Sequence, residues 1–195
     1  MARTADIVIE DAAVNAAIAR VAAAGLNTAP LMQTIEGIML AGVQARFETQ
    51  TAPDGTAWQR LSPRTAAKRL GRSSRRRGYE NILRVTGGLY RSITGESDAT
   101  RAEVGTNHPF AAVHQEGATI NMPARSQTVR LRKVKGNVRF ARAAHKRVRE
   151  VEATVKAHTI TIPARPYLGF SDQDRADILA AAERYFEAAS EGGDK

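Results

Sequence analysis

The side chains best suited to acid–base or metal chemistry are four histidines, His108, His114, His145 and His158. None stands in the i, i+4 spacing with another His or a Glu that puts metal ligands and a general base on one helix face. His114, Gln115 and Glu116 have the H-x-E form of a zinc deaminase, in which the Glu moves protons beside a metal-bound water. That chemistry also needs a paired-cysteine half, and the chain has no cysteine. The same absence removes disulfides and thiolate nucleophiles. Neither phosphate-cradling glycine pattern is present. Ser92, Ser97 and Ser171 lack the strained glycine turn that activates a serine, and Glu116, Asp172 and Asp174 read as helix caps and surface charge. The expectation is no catalytic residue, no cofactor site and no metal site. A small hydrolase would have to run on His114 and Glu116, and no partner residues accompany them.

Charge is the stronger signal. Arg64, Lys68, Arg69, Arg72, Arg75, Arg76 and Arg77 form one acid-free block. Arg125, Arg130, Arg132, Lys133, Lys135, Arg139, Arg142, Lys146, Arg147 and Arg149 form a second. Together they hold 17 of the 29 Lys and Arg, leaving 12 against 20 acids elsewhere, so a basic limb is set on an acidic remainder. Such a distribution implies a polyanionic partner or a neighbouring acidic surface. Phosphate contact by Arg72, Arg75, Arg76 and Arg77 is one reading, and non-specific contact with DNA follows from it. Specific recognition does not follow, because Phe140 is the only aromatic residue in the second block. No run reaches the roughly 18 to 20 apolar residues of a membrane span, and Met1 to Asp6 lack a signal peptide's apolar centre. The expectation is a protein made in a cytosol with no membrane partner.

The elements that position these residues follow from periodicity. Ile7 to Ile9 suggests a short first strand. Val14, Ala17, Ile18 and Val21 then share one helix face that ends at Gly25. Thr28 is the expected N-cap of a helix of about twenty residues, with Pro30 in its first turn and Leu31, Ile35, Ile38, Met39, Val43 and Phe47 along it. Gly37 and Gly42 weaken that helix unless they allow close packing. Pro53, Asp54 and Gly55 make a turn, after which Trp58 is a core anchor. Ser62 caps a helix to Leu70, and residues 72–78, without an apolar side chain, are expected to be a solvated loop. Residues 99–104 read as a strand, and Phe110 to His114 as a short helix ending at Gly117. The Gly105 to Gly117 stretch and the Pro163 to Ser171 stretch are expected to meet in one core. Ser171 and Asp174 form a capping box for a last helix lined by Ile178, Leu179, Ala182, Phe186 and Ala189.

Between these stretches lies an insertion with an internal echo. Residues 119–125 and 159–165 match at five of seven positions, forty residues apart. They read as two strands with Ile120, Met122, Ile160 and Ile162 on one side. Val129, Leu131, the Gly136–Asn137 turn signal, Val138 and Phe140 suggest a β-hairpin, while residues 143–155 read as more helical. An isolated hairpin is marginal in water, so the arm is expected to become ordered on another surface. The fold class is therefore α+β: N-terminal and C-terminal helices packed on a small, mostly antiparallel sheet, with an inserted basic β-hairpin/helix arm. Residues 1–117 plus 163–190 form the core domain, 118–162 the arm and 191–195 a disordered tail.

Several short patterns then carry a likeness to a known family. Phe47, Pro53, Asp54, Gly55, Trp58 and Leu61 come first, followed by Leu83, Thr86, Gly87, Leu89, Ser92 and Ile93. Val104, Gly105, Asn107, Ala111, His114, Gln115 and Gly117 come next, and Pro163, Arg165, Pro166, Tyr167, Leu168, Gly169 and Ser171 close the series. In this order, over residues 10–190, the chain resembles the phage virion morphogenesis (tail completion) family. The resemblance implies a non-enzymatic virion protein of the neck or head-proximal tail end, made in the host bacterial cytoplasm. It implies a homo-oligomeric ring of about six copies, closed head-to-tail, that joins tail to head. Its partners would be itself, the adjacent neck, connector and tail-tube proteins, and packaged DNA by non-specific contact. Within such a ring the arm residues Val129, Arg130, Leu131, Arg132, Val138, Arg139, Phe140 and Arg142 are the expected contact with a neighbour. A capsid-assembly or DNA-packaging accessory protein that binds DNA non-specifically stays open as the alternative.

Overall fold

A computed structural model describes residues 12–23, 25, 27–70 and 81–192. The expected strand at Ile7 to Ile9 and the basic loop holding Arg72, Arg75, Arg76 and Arg77 lie outside these residues. The chain divides into two compact units, residues 118–162 and the remainder.

The first unit is built on α2 (Ala29–Thr49). Its N-terminal half packs Leu31, Met32 and Ile35 against Ala17 and Val21 of α1 (Ala12–Ala23) and Ile178, Ala181 and Ala182 of α6 (Asp172–Gly192). Its C-terminal half carries Val43 and Phe47 into a second cluster with Trp58, Ile82, Leu89, Ile93, Ala111, Tyr167 and Leu168. Phe47 is the hub of this cluster, with the rings of Trp58, Tyr90 and Tyr167 centred 5.5, 5.5 and 5.2 Å away. Burying each large side chain stabilises the unit by about 1.5 to 3 kcal/mol. The short helices α3 (Pro63–Leu70), α4 (Gly88–Arg91) and α5 (Ala111–Glu116) lie along the connections. Strands β1 (Ile93–Ser97) and β2 (Ala102–Thr106) pair antiparallel and lie on α2.

Local chemistry explains the element ends and corrects some expectations. Thr28 does not cap α2; its hydroxyl donates to the Ala99 carbonyl, and Asn27 Oδ1 accepts the Ala29 N–H instead. The capping box at α6 is reciprocal, with Asp174 Oδ2 accepting the Ser171 N–H at 2.8 Å and Ser171 Oγ the Asp174 N–H at 3.1 Å. That helix continues to Gly192, past the point where a disordered tail was expected. Phe186 does not join its buried face and is 42% exposed. Gly42 meets the condition set for it, since a Cβ there would fall on the Asp174 carboxylate, whereas Gly37 has open space around it.

The second unit is all β among its regular elements. Strands β3 (Ala118–Met122) and β7 (His158–Ile162), the two echoed segments, pair antiparallel with Ile120 opposite Ile160. A three-stranded sheet follows in the order β5 (Asn137–Phe140), β4 (Arg125–Val134), β6 (Arg149–Val155). The helical reading of residues 143–155 is thus wrong. Val151, Ala153 and Val155 alternate with Glu150, Glu152 and Thr154, and β4 supplies the partner for that period of two. The hairpin turn lies one residue earlier than expected, at Lys135 and Gly136, both at positive φ, with Val134 opposite Asn137. With a third strand this sheet is no longer a bare hairpin.

Candidate functional site

Two places organise the residues singled out from the sequence. One is the seam that closes the first unit. Residues 163–171 are neither helix nor strand over most of their length, so their backbone groups need partners of another kind. Side chains supply them. The Gln115 amide donates to the Leu168 carbonyl at 3.0 Å and accepts the N–H groups of Tyr167 and Leu168 at 3.0 and 3.1 Å. Trp58 Nε1–H donates to the Pro166 carbonyl at 2.8 Å, and the Arg165 N–H donates to the His114 carbonyl at 2.7 Å. The Arg165 guanidinium in turn donates through Nε and Nη2 to the Gln59 carbonyl. At Gly169 the backbone has φ +139°, and a Cβ would press on the Pro53 ring, so the turn residue and the seam fit only without a side chain.

The seam therefore brings together Trp58, His114, Gln115, Arg165, Pro166, Leu168 and Gly169. Gly117 and Pro163 flank the insertion at its two ends. Gly87 stands apart at the start of α4, and Gly105 lies in β2 opposite Thr94.

Sequence reasoning missed one buried pair. Arg46, 5% exposed, forms an ion pair with Asp174, 6% exposed, and donates from Nη1 to the Tyr167 carbonyl at 3.2 Å. Burial lowers the Arg46 pKa from its ordinary value, and the facing carboxylate opposes that shift. The signal for it was a charged residue set inside the apolar Val43–Phe47 face of α2. Tyr167 is fully buried, and burial pushes its phenol up to about 12. The His114 pKa is lowered from its ordinary 6.5 by burial and then by the positive charge of Arg165 and His108. Among the described residues no group of three or more His, Asp and Glu is placed to hold a metal. The Trp58, Gln115 and Arg165 side chains of the seam are engaged in holding backbone, whereas His114 Nδ1 is buried without a hydrogen-bond partner among the described residues.

The other place is the insertion. Eleven Lys and Arg against two acids fall within residues 118–162, a net +9 that equals the charge of the whole chain. The rest balances at 18 of each sign, so the unit boundaries concentrate the entire excess in the insertion. Alternation along β4 puts Gln127, Val129, Leu131 and Lys133 on one face and Thr128, Arg130, Arg132 and Val134 on the other. The register adds Ala153, Val151, Arg149, Phe140 and Val138 to the first face, so that its apolar side chains are interrupted by Gln127, Lys133 and Arg149. Phe140 and Val138 are 80% and 66% exposed. On the second face Arg130 pairs with Glu150 at 3.2 Å, while Arg132 stands directly opposite Arg139. Like charges in opposed positions destabilise a sheet, so this pair does not itself stabilise the unit. Arg142 lies in the following crossover, where its N–H meets His145 Nδ1 at 3.0 Å.

Among the described residues no helix is long and apolar enough to cross a membrane. No solved structure matches the chain significantly. The chain is 31% identical over 174 residues, 89% of its own length and 89% of the relative's, to the Mu-like prophage FluMu G protein 2 of Haemophilus influenzae. The model of the phage virion morphogenesis family matches residues 9–187, nearly the whole chain. On that coverage and that identity, the chain belongs to the phage virion morphogenesis family.

Proposed function

We propose that this chain is a structural, non-catalytic protein of the neck or head-proximal tail end, which completes the tail as a closed ring and joins it to the head. The observation that carries this reading is the insertion, a compact unit of its own with all of the chain's net charge and with Val138 and Phe140 exposed on one strand. A surface of that kind gains stability when a neighbour covers it. A head-to-tail contact that is repeated until it closes leaves no exposed end. Charge would guide the encounter and set register, and Val129, Leu131, Val138 and Phe140 would hold the contact. Membership of the family and the likeness to the prophage G protein support the virion setting. The test is native mass measurement and negative-stain imaging of the purified chain, alone and mixed with tails. Rings, or added density at the head-proximal end of tails, are expected. A strict monomer that adds nothing to tails overturns the reading.

A second reading rests on the opposed Arg132 and Arg139 pair: an assembly or packaging accessory protein that holds duplex DNA by its phosphates. It predicts binding to any duplex that weakens steeply with salt. A titration at two salt concentrations separates it from the first reading.

A further inference from the structure

Past Leu131 the sheet of the insertion narrows to two strands. Strand β6 begins at Arg149, opposite Leu131, so the pairs Arg132–Arg139, Lys133–Val138 and Val134–Asn137 and the Lys135–Gly136 turn lie beyond the end of the third strand. At about 3.4 Å per residue this tip reaches roughly 10 Å past β6. We infer that the tip enters the major groove of duplex DNA, where Arg132, Arg139, Lys133 and Lys135 meet the phosphates of the two walls. The inference rests on the DNA-holding reading and names the element that does the holding.

Charge, placement and size support it. Residues 132–139 hold four cations and no acid, and among the described residues none of the four is in an ion pair. The insertion's two acids, Glu150 and Glu152, stand on the three-stranded part opposite Arg130 and Thr128, and Arg130 takes Glu150. The tip's cations also lie on both faces of the ribbon. Arg132 and Arg139 project from one face, Lys133 from the other, and Lys135 sits in the turn. Lys133, Lys135 and Arg139 are exposed. An acidic protein surface would meet one face and leave the charge of the other unmatched, whereas a groove presents phosphates along both walls. A sister copy's first unit, with 18 charges of each sign, has no excess of acid to offer. The major groove, about 12 Å wide and 8.5 Å deep, admits a two-stranded ribbon of this reach.

The test titrates the full-length chain into a fluorescently labelled duplex of arbitrary sequence at about 50 and 200 mM salt and follows anisotropy. Each phosphate contact contributes about −0.9 to the slope of log K against log salt. Replacing the tip's cations together, Arg132→Gln, Lys133→Gln, Lys135→Asn and Arg139→Gln, should therefore take about 3 to 4 off the steepness of that slope. Across this salt range the natural chain should lose roughly a hundredfold more affinity than the variant. A charge-matched control in the other basic block, Arg72→Gln, Arg75→Gln, Arg76→Gln and Arg77→Gln, should keep the natural slope. A loss as large in the control as in the tip variant overturns the tip contact and leaves the DNA-holding reading standing, whereas no duplex binding by the natural chain defeats both. A second measurement needs no variant. Bulky groups on C5 of the pyrimidines fill the major groove and leave the phosphates in place, so the natural chain should bind a duplex carrying them roughly tenfold more weakly. Unchanged affinity for that duplex overturns the inference, as does binding of a single strand or of polyglutamate as tight as that of the plain duplex.

Discussion

Replacing Gln115 tests whether the seam is held by side-chain-to-backbone bonds or by packing alone. Gln115 is 8% exposed and makes three hydrogen bonds to the backbone of Tyr167 and Leu168, both buried. In Gln115→Ala two N–H groups and one carbonyl lose their partner. Each bond contributes about 1 kcal/mol net, and a buried group left unmet costs about 1 to 3 kcal/mol. Partial entry of water limits the sum, so the expected loss is about 3 to 5 kcal/mol, a large share of the ~5 to 15 kcal/mol that holds a domain. Trp58, the chain's single tryptophan, reports the event from inside the seam through its bond to Pro166. At a urea slope of ~2 kcal/mol per M, its fluorescence midpoint should fall by about 2 M. Gln115→Met restores most of the volume but no donor or acceptor, and should remain nearly as unstable as the alanine variant. Glu116→Ala, at an exposed neighbour, should stay within about 0.5 kcal/mol of the natural chain. If Met recovers most of the loss, or if Ala costs less than about 1 kcal/mol, hydrogen bonding does not hold this seam.

Gly37→Ala should stabilise the first unit by up to about 1 kcal/mol, whereas Gly42→Ala should destabilise it by displacing Asp174 from Arg46, a contrast that urea midpoints resolve. Because the folded His114 pKa lies below 6.5, the unfolded chain takes up that proton first as pH falls. Stability should be full above 6.5 and decline below it, and His114→Gln should flatten that slope. Tyr167 has the opposite window: its phenol at about 12 lies above the ordinary 10.0, so the unfolded chain ionises first and stability falls between those two pH values. The full loss is on the order of 2 to 3 kcal/mol and is absent in Tyr167→Phe. Replacing residues 123–157 by Asn-Gly would close the Met122–His158 pair with a two-residue turn. That chain should keep its Trp58 fluorescence and its urea midpoint yet fail to enter particles, as scored by incorporation into tails.

Periodicity made α2, the capping box of α6 and the Pro53–Gly55 turn legible, because each depends on residues within one or two turns of chain. The β3–β7 pair was legible through its repeated residues. Residues 149–155 were not, since Ala143, Ala144 and the Lys and Arg around them favour helix locally while pairing with β4 decides for strand. Arg46 and Asp174 lie 128 residues apart, and no local pattern joins them. Gln115 stood out by position, but its work is done on backbone that any sequence would present, so its side-chain role left no mark on the partner residues.

That arrangement explains how an insertion of forty-five residues is tolerated. The bonds nearest to it, from Arg165 to His114 and from Tyr167 and Leu168 to Gln115, lie wholly within the first unit. They pin the two ends of the excursion two or more residues before it begins and after it returns. Loop-closure entropy grows only slowly with length, so once these ends are fixed the first unit is indifferent to what the excursion contains. The insertion is then free to carry an opposed arginine pair and an exposed phenylalanine, features that would burden a self-contained domain. Variants within residues 126–155 should therefore separate assembly from folding, whereas variants at Gln115 or Arg165 should damage both.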